Sequence, residues 1–237
     1  MSTKEELESA VKEILNQPWD QRESKSVPST EQVALIANGA VNIEVTMLYA
    51  DLADSTELAM NDRRMTAKIY KAFLLCASRL IKSSGGEIRS FDGDRVMGVF
   101  IGDYKNTSAA KCALQINYVF TKIIKPFFEE KYKALIGGDL KLAHCVGIDT
   151  GPVLVVKGGI RGDNDLLWVG QAPNVAAKLS GIRNDPYFTY ITEAVYNKLN
   201  EEVKVYDGKQ MWEKRVDSWK GVKGISTVYR SFWTWTP

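Results

Sequence analysis

The sequence has very few side chains that could support histidine or cysteine chemistry. Its 237 residues include one histidine, His144, and three cysteines, Cys76, Cys112 and Cys145. Each cysteine lies in an apolar, periodic segment without zinc-ligand spacing, which predicts reduced and buried thiols in a cytosolic protein. His144 lies in a strand-like run, where a lone histidine is more often satisfied by the core than catalytic. The sequence therefore argues against a histidine general base.

The chain also lacks a long apolar segment and an excess of charge of one sign. No stretch approaches the roughly 18 apolar residues of a membrane helix, and residues 1–7 are acidic where a signal peptide would be basic and then apolar. There are 31 basic and 29 acidic residues, which give a net charge of +2. This balance offers no electrostatic basis for binding nucleic acid or a membrane. We therefore expect a cytoplasmic protein that uses neither as a partner.

Apolar periodicity predicts an N-terminal segment, residues 1–40, and a main domain, residues 41–237. The segment contains an amphipathic helix at 4–15, which needs another surface to cover its apolar stripe, and an extended connector at 16–32. The elements predicted in the main domain are strands at 43–50, 87–91, 94–101, 140–149, 153–156, 166–169, 212–215 and 227–233, helices at 55–81, 107–128 and 172–179, and a further strand and helix within 189–199. This order predicts an α+β fold with a ferredoxin-like β-α-β-β-α-β core and additional β and α elements.

Two carboxylates lie at adjacent strand ends of this core. Asp51 ends the first strand and precedes the cap cluster Asp54-Ser55-Thr56, a turn that suits a metal-bound phosphate, although a simple helix cap explains it equally well. Asp94 lies on the predicted hairpin beside that strand, so it could face Asp51. Two carboxylates without histidine or cysteine ligands form a hard oxygen site for Mg²⁺ or Mn²⁺. Two such ions could support an in-line displacement at phosphorus.

A third group of polar side chains lies on the predicted helix at 172–179. Asn174 and Lys178 are four residues apart and share a helix face. They offer an amide and a cation to developing negative charge. A solvated helix face above a buried Val-Ala-Ala stripe explains the same residues.

Four segments resemble the successive motifs of the class III nucleotidyl cyclases. They are VTMLYADL at 45–52, GDRVM at 93–97, GIDTGPV at 147–153 and NVAAKL at 174–179. They follow the family's order and cover about residues 41–229, and four motifs in register are far more specific than one. The resemblance implies that a nucleoside triphosphate is converted to a 3′,5′-cyclic monophosphate and pyrophosphate. It also implies a homodimer with sites built across the interface.

The resemblance assigns the first group of site residues to the metals and the triphosphate. It implies that Asp51, Asp94 and the backbone carbonyl of Leu52 bind two Mg²⁺ or Mn²⁺ ions per active site. It further implies that the turn at Ser55 and Thr56 binds phosphate.

The resemblance assigns a second group to the ribose and the developing charge. Asn174 would orient the ribose. Lys178 stands where the family usually has arginine, so the charge is kept but the bidentate fork is lost. Lys220 would bind the terminal phosphate.

The base pocket departs from the purine-specific members of the family. Ser90 stands where adenylate cyclases carry lysine and guanylate cyclases carry glutamate. Leu167 stands where adenylate cyclases carry aspartate or threonine and guanylate cyclases carry cysteine. Without those groups the pocket lacks the hydrogen bonds that select a purine. Tyr49 adds a hydroxyl near the site, and Arg95 or Arg89 could donate to a carbonyl-rich base edge.

With its short length, its N-terminal helix and connector and no recognisable sensor domain, the sequence also resembles the pyrimidine cyclases of the bacterial Pycsar anti-phage systems. This implies synthesis of cyclic UMP or cyclic CMP as a signal for a separate effector protein. Arginine donors match the carbonyl oxygens of uracil better than the amino edge of cytosine, so we expect UTP first and CTP second. Two alternatives stay open: an ordinary adenylate cyclase with an atypical base pocket, and a degenerate cyclase domain that acts as a binding module.

Two glycine-rich segments do not complete a known motif. Gly137-Gly138-Asp139 is not followed by the Glu-Phe of a diguanylate cyclase signature, so we expect a turn that enters a strand. Residues 157–163 lack the Gly-Lys-Ser/Thr ending of a phosphate-binding loop. We expect a flexible, partly exposed loop there, near the mouth of the site.

Overall fold

The computed structural model describes residues 2–35, 39–136, 140–216 and 225–237. The chain divides into two compact units, one formed by residues 1–44 and 152–171 and the other by residues 45–151 and 172–237. The division predicted at residue 40 stays a prediction. The predicted turn at Gly137-Gly138-Asp139 and the predicted phosphate ligand Lys220 lie outside the described residues.

The first unit contains the N-terminal helix and two pairs of strands. Its elements are α1 (Thr3–Asn16), β1 (Asp20–Glu23), the beginning of β2 (Gly39–Leu52), the end of β5 (His144–Ile160) and β6 (Asp163–Val169). A capping box fixes the start of α1, since the backbone N–H of Ser2 donates to Glu5 at 2.8 Å and that of Glu5 donates to Ser2. The predicted connector is partly a strand, because β1 pairs in parallel with the first residues of β2.

The apolar stripe of α1 is exposed in the part of the chain that the structure describes. No described residue of the helix is buried, and its apolar side chains are more than half exposed, namely Leu7, Val11, Ile14 and Leu15. The expectation that the main body or a second subunit covers the stripe stays a prediction.

The glycine-rich segment at 157–163 differs from the flexible loop predicted there. Residues up to Ile160 belong to β5 and pair with β6 from Asp163 onward. Only Arg161 and Gly162 form the turn, where Gly162 adopts a φ of +97° that favours glycine. The segment is therefore the end of a hairpin.

The second unit is built on a sheet of the order β10-β11-β7-β5-β2-β4-β3. The strands not yet given are β3 (Glu87–Asp92), β4 (Arg95–Phe100), β7 (Thr189–Thr192), β10 (Glu213–Val216) and β11 (Thr227–Ser231), with a separate small pair β8 (Val205–Tyr206) and β9 (Lys209–Gln210). The helices are α2 (Ser55–Asn61), α3 (Arg63–Ser83), α4 (Lys105–Val119), α5 (Lys125–Lys131), α6 (Gln171–Ser180), α7 (Glu193–Tyr196) and α8 (Glu201–Lys204). The central order β5-β2-β4-β3 confirms the predicted ferredoxin-like core.

Alternation along β2 determines which of its side chains face the helices. Leu48, Ala50 and Leu52 belong to the buried cluster that includes residues of α3 and α4. Because successive strand residues point to opposite faces, Tyr49 and Asp51 lie on the other face. The helices therefore support the strand from one side, while the candidate site residues occupy the opposite side.

The helix predicted at 55–81 is interrupted at Asp62. This residue has an extended backbone with φ −148° and caps α3, since its side chain accepts from the backbone N–H groups of Arg64 and Met65. An aspartate with such a cap stabilises a new helix start, so α2 and α3 are separate helices.

The helix predicted at 107–128 continues beyond Pro126 to Lys131. A proline inside an α-helix removes a backbone hydrogen bond and its ring crowds the preceding turn. Here the backbone widens into a π-helical turn at Phe120–Ile124 immediately before α5. This turn accommodates Pro126 without ending the helical path.

The strand pair predicted around residues 150–152 is one continuous strand, β5. Its residues Val146 to Ile148 pair with β7, and from Leu154 onward it pairs with β6. Pro152 lies between the two pairings, where its missing N–H is not needed. The prediction of a turn at Thr150-Gly151-Pro152 was wrong for this reason.

Candidate active site

Strand ends bring the two predicted carboxylates together. Asp51 is the next-to-last residue of β2, and Asp94 occupies the two-residue turn between β3 and β4. Gly93 opens this turn with a φ of +61°, a value that hairpin turns of this length require at their first position. Because β2 pairs with β4 from Thr46 to Ala50, both carboxylates lie at the same edge of the sheet.

Asp51 and Asp94 line a cleft of about 540 Å³. The cleft contains most of the residues predicted for metal and phosphate binding, together with one predicted for the base: Asp51, Leu52, Ser55, Thr56, Asp94 and Arg95. Asn174 and Lys178 are not among its described lining residues. The structure therefore assembles the acidic and phosphate-binding part of the predicted site within one chain, and not the part on α6.

The surroundings of Asp94 disfavour the negative charge of its side chain. Burial raises the pKa of Asp94 above its ordinary value, the charge of Asp51 raises it further, and a hydrogen bond with Ser55 opposes the shift. Its Oδ2 atom is buried and has no hydrogen-bond partner within the described part of the chain. A cation beside Asp94 would relieve both the repulsion and the unmet acceptor.

Arg183 already places a positive charge at the other carboxylate. Its Nη2 donates to Asp51 Oδ2 at 3.3 Å and to the carbonyl of Leu52 at 3.0 Å. Its Nη1 donates to the carbonyls of Ser180 at 2.8 Å and Ile182 at 3.1 Å, which fixes the guanidinium. Asp51 and the Leu52 carbonyl, which both accept from Arg183, are two of the three groups that the family resemblance assigns to metal binding.

Arg95 adds a second guanidinium to the same carboxylate oxygen. Its Nη2 lies 3.2 Å from Asp51 Oδ2. In this structure Arg95 thus pairs with the predicted metal ligand. Its predicted role in base recognition stays a prediction.

The donor set of the cleft fits a hard divalent cation. Asp51, Asp94 and the Leu52 carbonyl supply oxygen atoms only, which is the ligand type that Mg²⁺ and Mn²⁺ prefer. Two of these groups already attract guanidinium ions, and the third has an unmet acceptor atom. Among the described residues, no group of three or more histidine, cysteine or acidic side chains is placed to hold a metal ion.

Two predicted base-pocket positions lie in one row across the sheet. Tyr49 on β2 is opposite Met97 on β4, and Met97 is opposite Ser90 on β3. Directly opposed residues share a face, so these three side chains are neighbours. The Tyr49 hydroxyl donates to Met97 Sδ at 2.8 Å, and burial raises the pKa of this tyrosine.

The other two candidate base contacts have different surroundings. Arg89 forms an ion pair with Glu87 on its own strand. Leu167 lies on β6 in the first unit and is 51% exposed. Their roles in base recognition stay predictions.

Gly147 fixes the position of α6, which carries Asn174 and Lys178. A Cβ at this residue would lie 2.2 Å from the carbonyl oxygen of Ala176, so only glycine allows the helix to pack this closely on β5. Asn174 and Lys178 are on the exposed face of the helix. Asn174 and Lys178 share one helix face as predicted, and their catalytic role stays a prediction.

His144, Cys112 and Cys145 are buried as predicted, whereas Cys76 is only half-buried, so the prediction was wrong for that residue. Burial raises the pKa values of Cys112 and Cys145 to about 12, and all three cysteines are free. Burial lowers the pKa of His144 to about 3. His144 is in the core as predicted, and neither ring nitrogen has a hydrogen-bond partner among the described residues.

Comparison with known proteins gives close relatives over the whole chain. The present chain is 46% identical over 237 residues to a protein named uridylate cyclase from Rhodovulum sp. (strain MB263), and the alignment covers 98% of both chains. It is 44% identical over 238 residues to a uridylate cyclase from Burkholderia cepacia, which covers 100% of both. No family model matches the chain.

The fold is that of solved class III cyclases. The crystal structure of the adenylyl cyclase CyaB from P. aeruginosa superposes with a TM-score of 0.66 at 18% identity, covering 81% of this chain and 95% of that chain. At this identity the likeness concerns the fold alone. Within the residues that the structure describes, no helix is both long and apolar enough to span a membrane.

Proposed function

This chain belongs to the uridylate cyclase family of nucleotidyl cyclases, and on that premise we propose that it converts UTP to 3′,5′-cyclic UMP and pyrophosphate. The observation that carries the proposal is the cleft at the end of β2. There Asp51, Asp94 and the Leu52 carbonyl converge beside Ser55 and Thr56. Family membership makes the chain a nucleotidyl cyclase, and the choice of UTP rests on the names of its relatives and on the base-pocket residues.

The residues of the cleft would hold two divalent cations and the triphosphate. Asp51, Asp94 and the Leu52 carbonyl provide the oxygen ligands. When bound, the cations activate the ribose 3′-hydroxyl and neutralise charge on the phosphates. Ser55 and Thr56 lie at the start of α2, where hydroxyl and backbone N–H groups can donate to phosphate oxygens.

A second copy of the chain would complete the site. Asn174 and Lys178 lie on an exposed helix face and are absent from the described lining of the Asp51–Asp94 cleft. In a symmetric dimer, each copy can offer these two residues to the cleft of the other. There Asn174 would orient the ribose and Lys178 would stabilise the charge that develops on the phosphate. Lys220 is proposed as a ligand of the terminal phosphate.

The row Tyr49, Met97 and Ser90 would form one wall of the base pocket. It contains neither the lysine nor the glutamate that the resemblance associates with purine recognition. A short hydroxyl side chain at Ser90 leaves room beside a small base, and Arg95 could donate to a uracil carbonyl if it leaves Asp51. We propose UTP first and CTP second for this pocket.

We further propose that the product is a signal in anti-phage defence. This rests on the resemblance to the Pycsar pyrimidine cyclases, whose product acts on a separate effector protein. Coexpression with a candidate effector under phage challenge tests it. Protection that persists when Asp51 is replaced by asparagine would contradict the proposal.

Mixing two inactive variants tests the shared site. Asp51→Asn removes a metal ligand, and Asn174→Ala removes the residue proposed to come from the partner. Mixed dimers would contain one intact site, so random reassortment should restore about a quarter of wild-type activity with UTP. A mixture of Asp51→Asn with Asp94→Asn is the control. Both changes affect the same half of the site, so this mixture should restore no activity. Equal recovery in both mixtures would rule out a site shared in this way.

A further inference from the structure

A second cavity in the same unit is not used by the proposed reaction. It measures about 490 Å³ and lies between the π-helical turn at Phe120–Ile124, α5 and the segments that lead into β5 and β7. Ligand cavities in proteins are commonly about 300–1,000 Å³. One water molecule takes up only about 30 Å³ in the liquid, so the cavity is much larger than a single structural water requires.

His144 lines this cavity with unmet hydrogen-bonding capacity. The residue is 2% exposed. Its ring packs against Phe120 with centroids 4.2 Å apart and against Phe188 with centroids 5.4 Å apart. The described residues provide no hydrogen-bond partner for Nδ1 or Nε2. With two phenyl rings packed against it, the imidazole can form hydrogen bonds only through its nitrogen-bearing edge.

The imidazole offers both types of hydrogen bond. Burial lowers the pKa of His144 to about 3, so the ring is neutral near pH 7. A neutral imidazole has one N–H donor and one nitrogen acceptor. Buried polar groups are nearly always paired in proteins, and an unpaired pair of this kind beside a large cavity indicates a missing partner.

The charges around the cavity do not favour an ionic ligand. Among the described residues, three cations and three carboxylates line it: Lys125, Lys141 and Arg183, and Asp54, Glu129 and Asp185. Lys125 and Glu129 also lie 3.8 Å apart as an ion pair. The lining therefore has no net charge, whereas its inner wall consists of aromatic and aliphatic side chains such as Phe120 and Leu142.

The backbone around Phe120 supports a binding role. Phe120 begins the π-helical turn, and π-helical turns occur frequently at functional sites. Phe120 and Thr121, the first two residues of this turn, both line the cavity. This geometry forms an aromatic wall beside His144.

We propose that this cavity binds a neutral, planar heterocycle of nucleobase size that stacks on its aromatic wall and hydrogen-bonds to His144. A planar ring matches the stacked phenyl and imidazole groups. A ring donor or acceptor meets the unmet nitrogen at the cavity wall. The site is separate from the proposed reaction, and Arg183 lines both this cavity and the Asp51–Asp94 cleft, so an occupant would contact a residue that holds Asp51.

The single histidine allows a direct test. The full-length chain labelled with ¹⁵N-histidine has ring signals from His144 only, and these signals report tautomer and hydrogen bonding. Uracil and nicotinamide are added separately to metal-free protein in EDTA, with toluene as a planar ring that lacks a donor and an acceptor. We expect a saturable shift of at least one ring nitrogen with uracil or nicotinamide and no such shift with toluene.

A matched variant separates the polar contact from the shape of the cavity. His144→Phe keeps a planar ring and removes both nitrogens, so it should weaken binding of the active probe at least tenfold while UTP turnover stays unchanged. The proposal is overturned if neither heterocycle shifts the ring signals at millimolar concentration, or if toluene shifts them equally. Ring nitrogens that are already hydrogen-bonded in the free protein and do not respond to any probe would show a buried water only, and would also overturn it. The titration of the wild-type chain decides the matter even if the variant does not fold.

Discussion

Arg183 should compete with metal ions for Asp51 and the Leu52 carbonyl. One guanidinium nitrogen donates to both groups at 3.3 Å and 3.0 Å, and these are proposed metal ligands. A divalent cation bound there requires Arg183 to move and then experiences its repulsion. Replacement by the neutral Arg183→Gln should therefore strengthen metal binding.

The size of the effect follows from the contacts that the metal must displace. Buried hydrogen bonds to charged groups contribute about 1.5–3 kcal/mol. Because the Arg183 side chain is 34% exposed, screening by solvent reduces this to about 1 kcal/mol. That corresponds to about a fivefold decrease in the dissociation constant of Mn²⁺.

Electron paramagnetic resonance of free Mn²⁺ measures this constant directly and without turnover. Arg183→Lys keeps the charge and should stay close to wild type. In EDTA, Arg183→Gln should also lower the melting temperature, and saturating Mn²⁺ should remove that difference. A folded Arg183→Gln protein that binds Mn²⁺ no more tightly than wild type would refute the competition between Arg183 and metal.

Three further predictions concern the acidic site, the core histidine and the base pocket. The affinity for Mn²⁺ should fall as the pH falls through the pKa of Asp94. Because this pKa is raised, a pH titration of Mn²⁺ binding to the wild type should show the loss at a higher pH than an aspartate with an ordinary pKa would give. A pH profile unchanged by Asp94→Asn would contradict it. The unfolded chain protonates His144 as the pH falls below about 6.5, whereas the folded chain does not protonate it until about pH 3, so the free energy of unfolding should fall by about 2 kcal/mol between about pH 6.5 and pH 5. Denaturant unfolding of His144→Phe should lack this loss, and equal losses in both proteins would argue against it. Tyr49→Phe removes the hydroxyl that contacts Met97 and should change the UTP to CTP ratio of kcat/KM, whereas an unchanged ratio would exclude this hydroxyl from base recognition.

The sequence predicted the core of the fold because its signals are local and repeated. The buried run that ends at Asp51 has the apolar character of a covered strand, and the following helices have clear 3.6-residue periodicity. The deviations occur where tertiary contacts override a local signal. Pro152 reads as a turn former, yet it lies between two separate strand pairings of β5, and Pro126 reads as a helix end, yet a π-helical turn accommodates it.

The acidic part of the site was predictable for a similar reason. Asp51 lies at the end of β2, and Asp94 immediately precedes β4, the strand that pairs with β2, so topology alone brings them together. Arg183 lies in an irregular segment after α6, where no periodicity or motif marks it, and its contact with Asp51 depends on the path of that segment. The unmet nitrogens of His144 likewise depend on its surroundings, because a histidine in a strand looks the same whether or not a partner is present.

The most direct test of the proposed function is a competition among the four nucleoside triphosphates. The purified chain is incubated with equimolar ATP, GTP, CTP and UTP in the presence of Mn²⁺, and the cyclic products are identified by mass spectrometry. Asp51→Asn serves as the control for contaminating activity. We predict that cyclic UMP is the main product and that the variant makes none. Cyclic AMP as the main product, or no cyclic nucleotide from the wild-type chain, would contradict the proposed function.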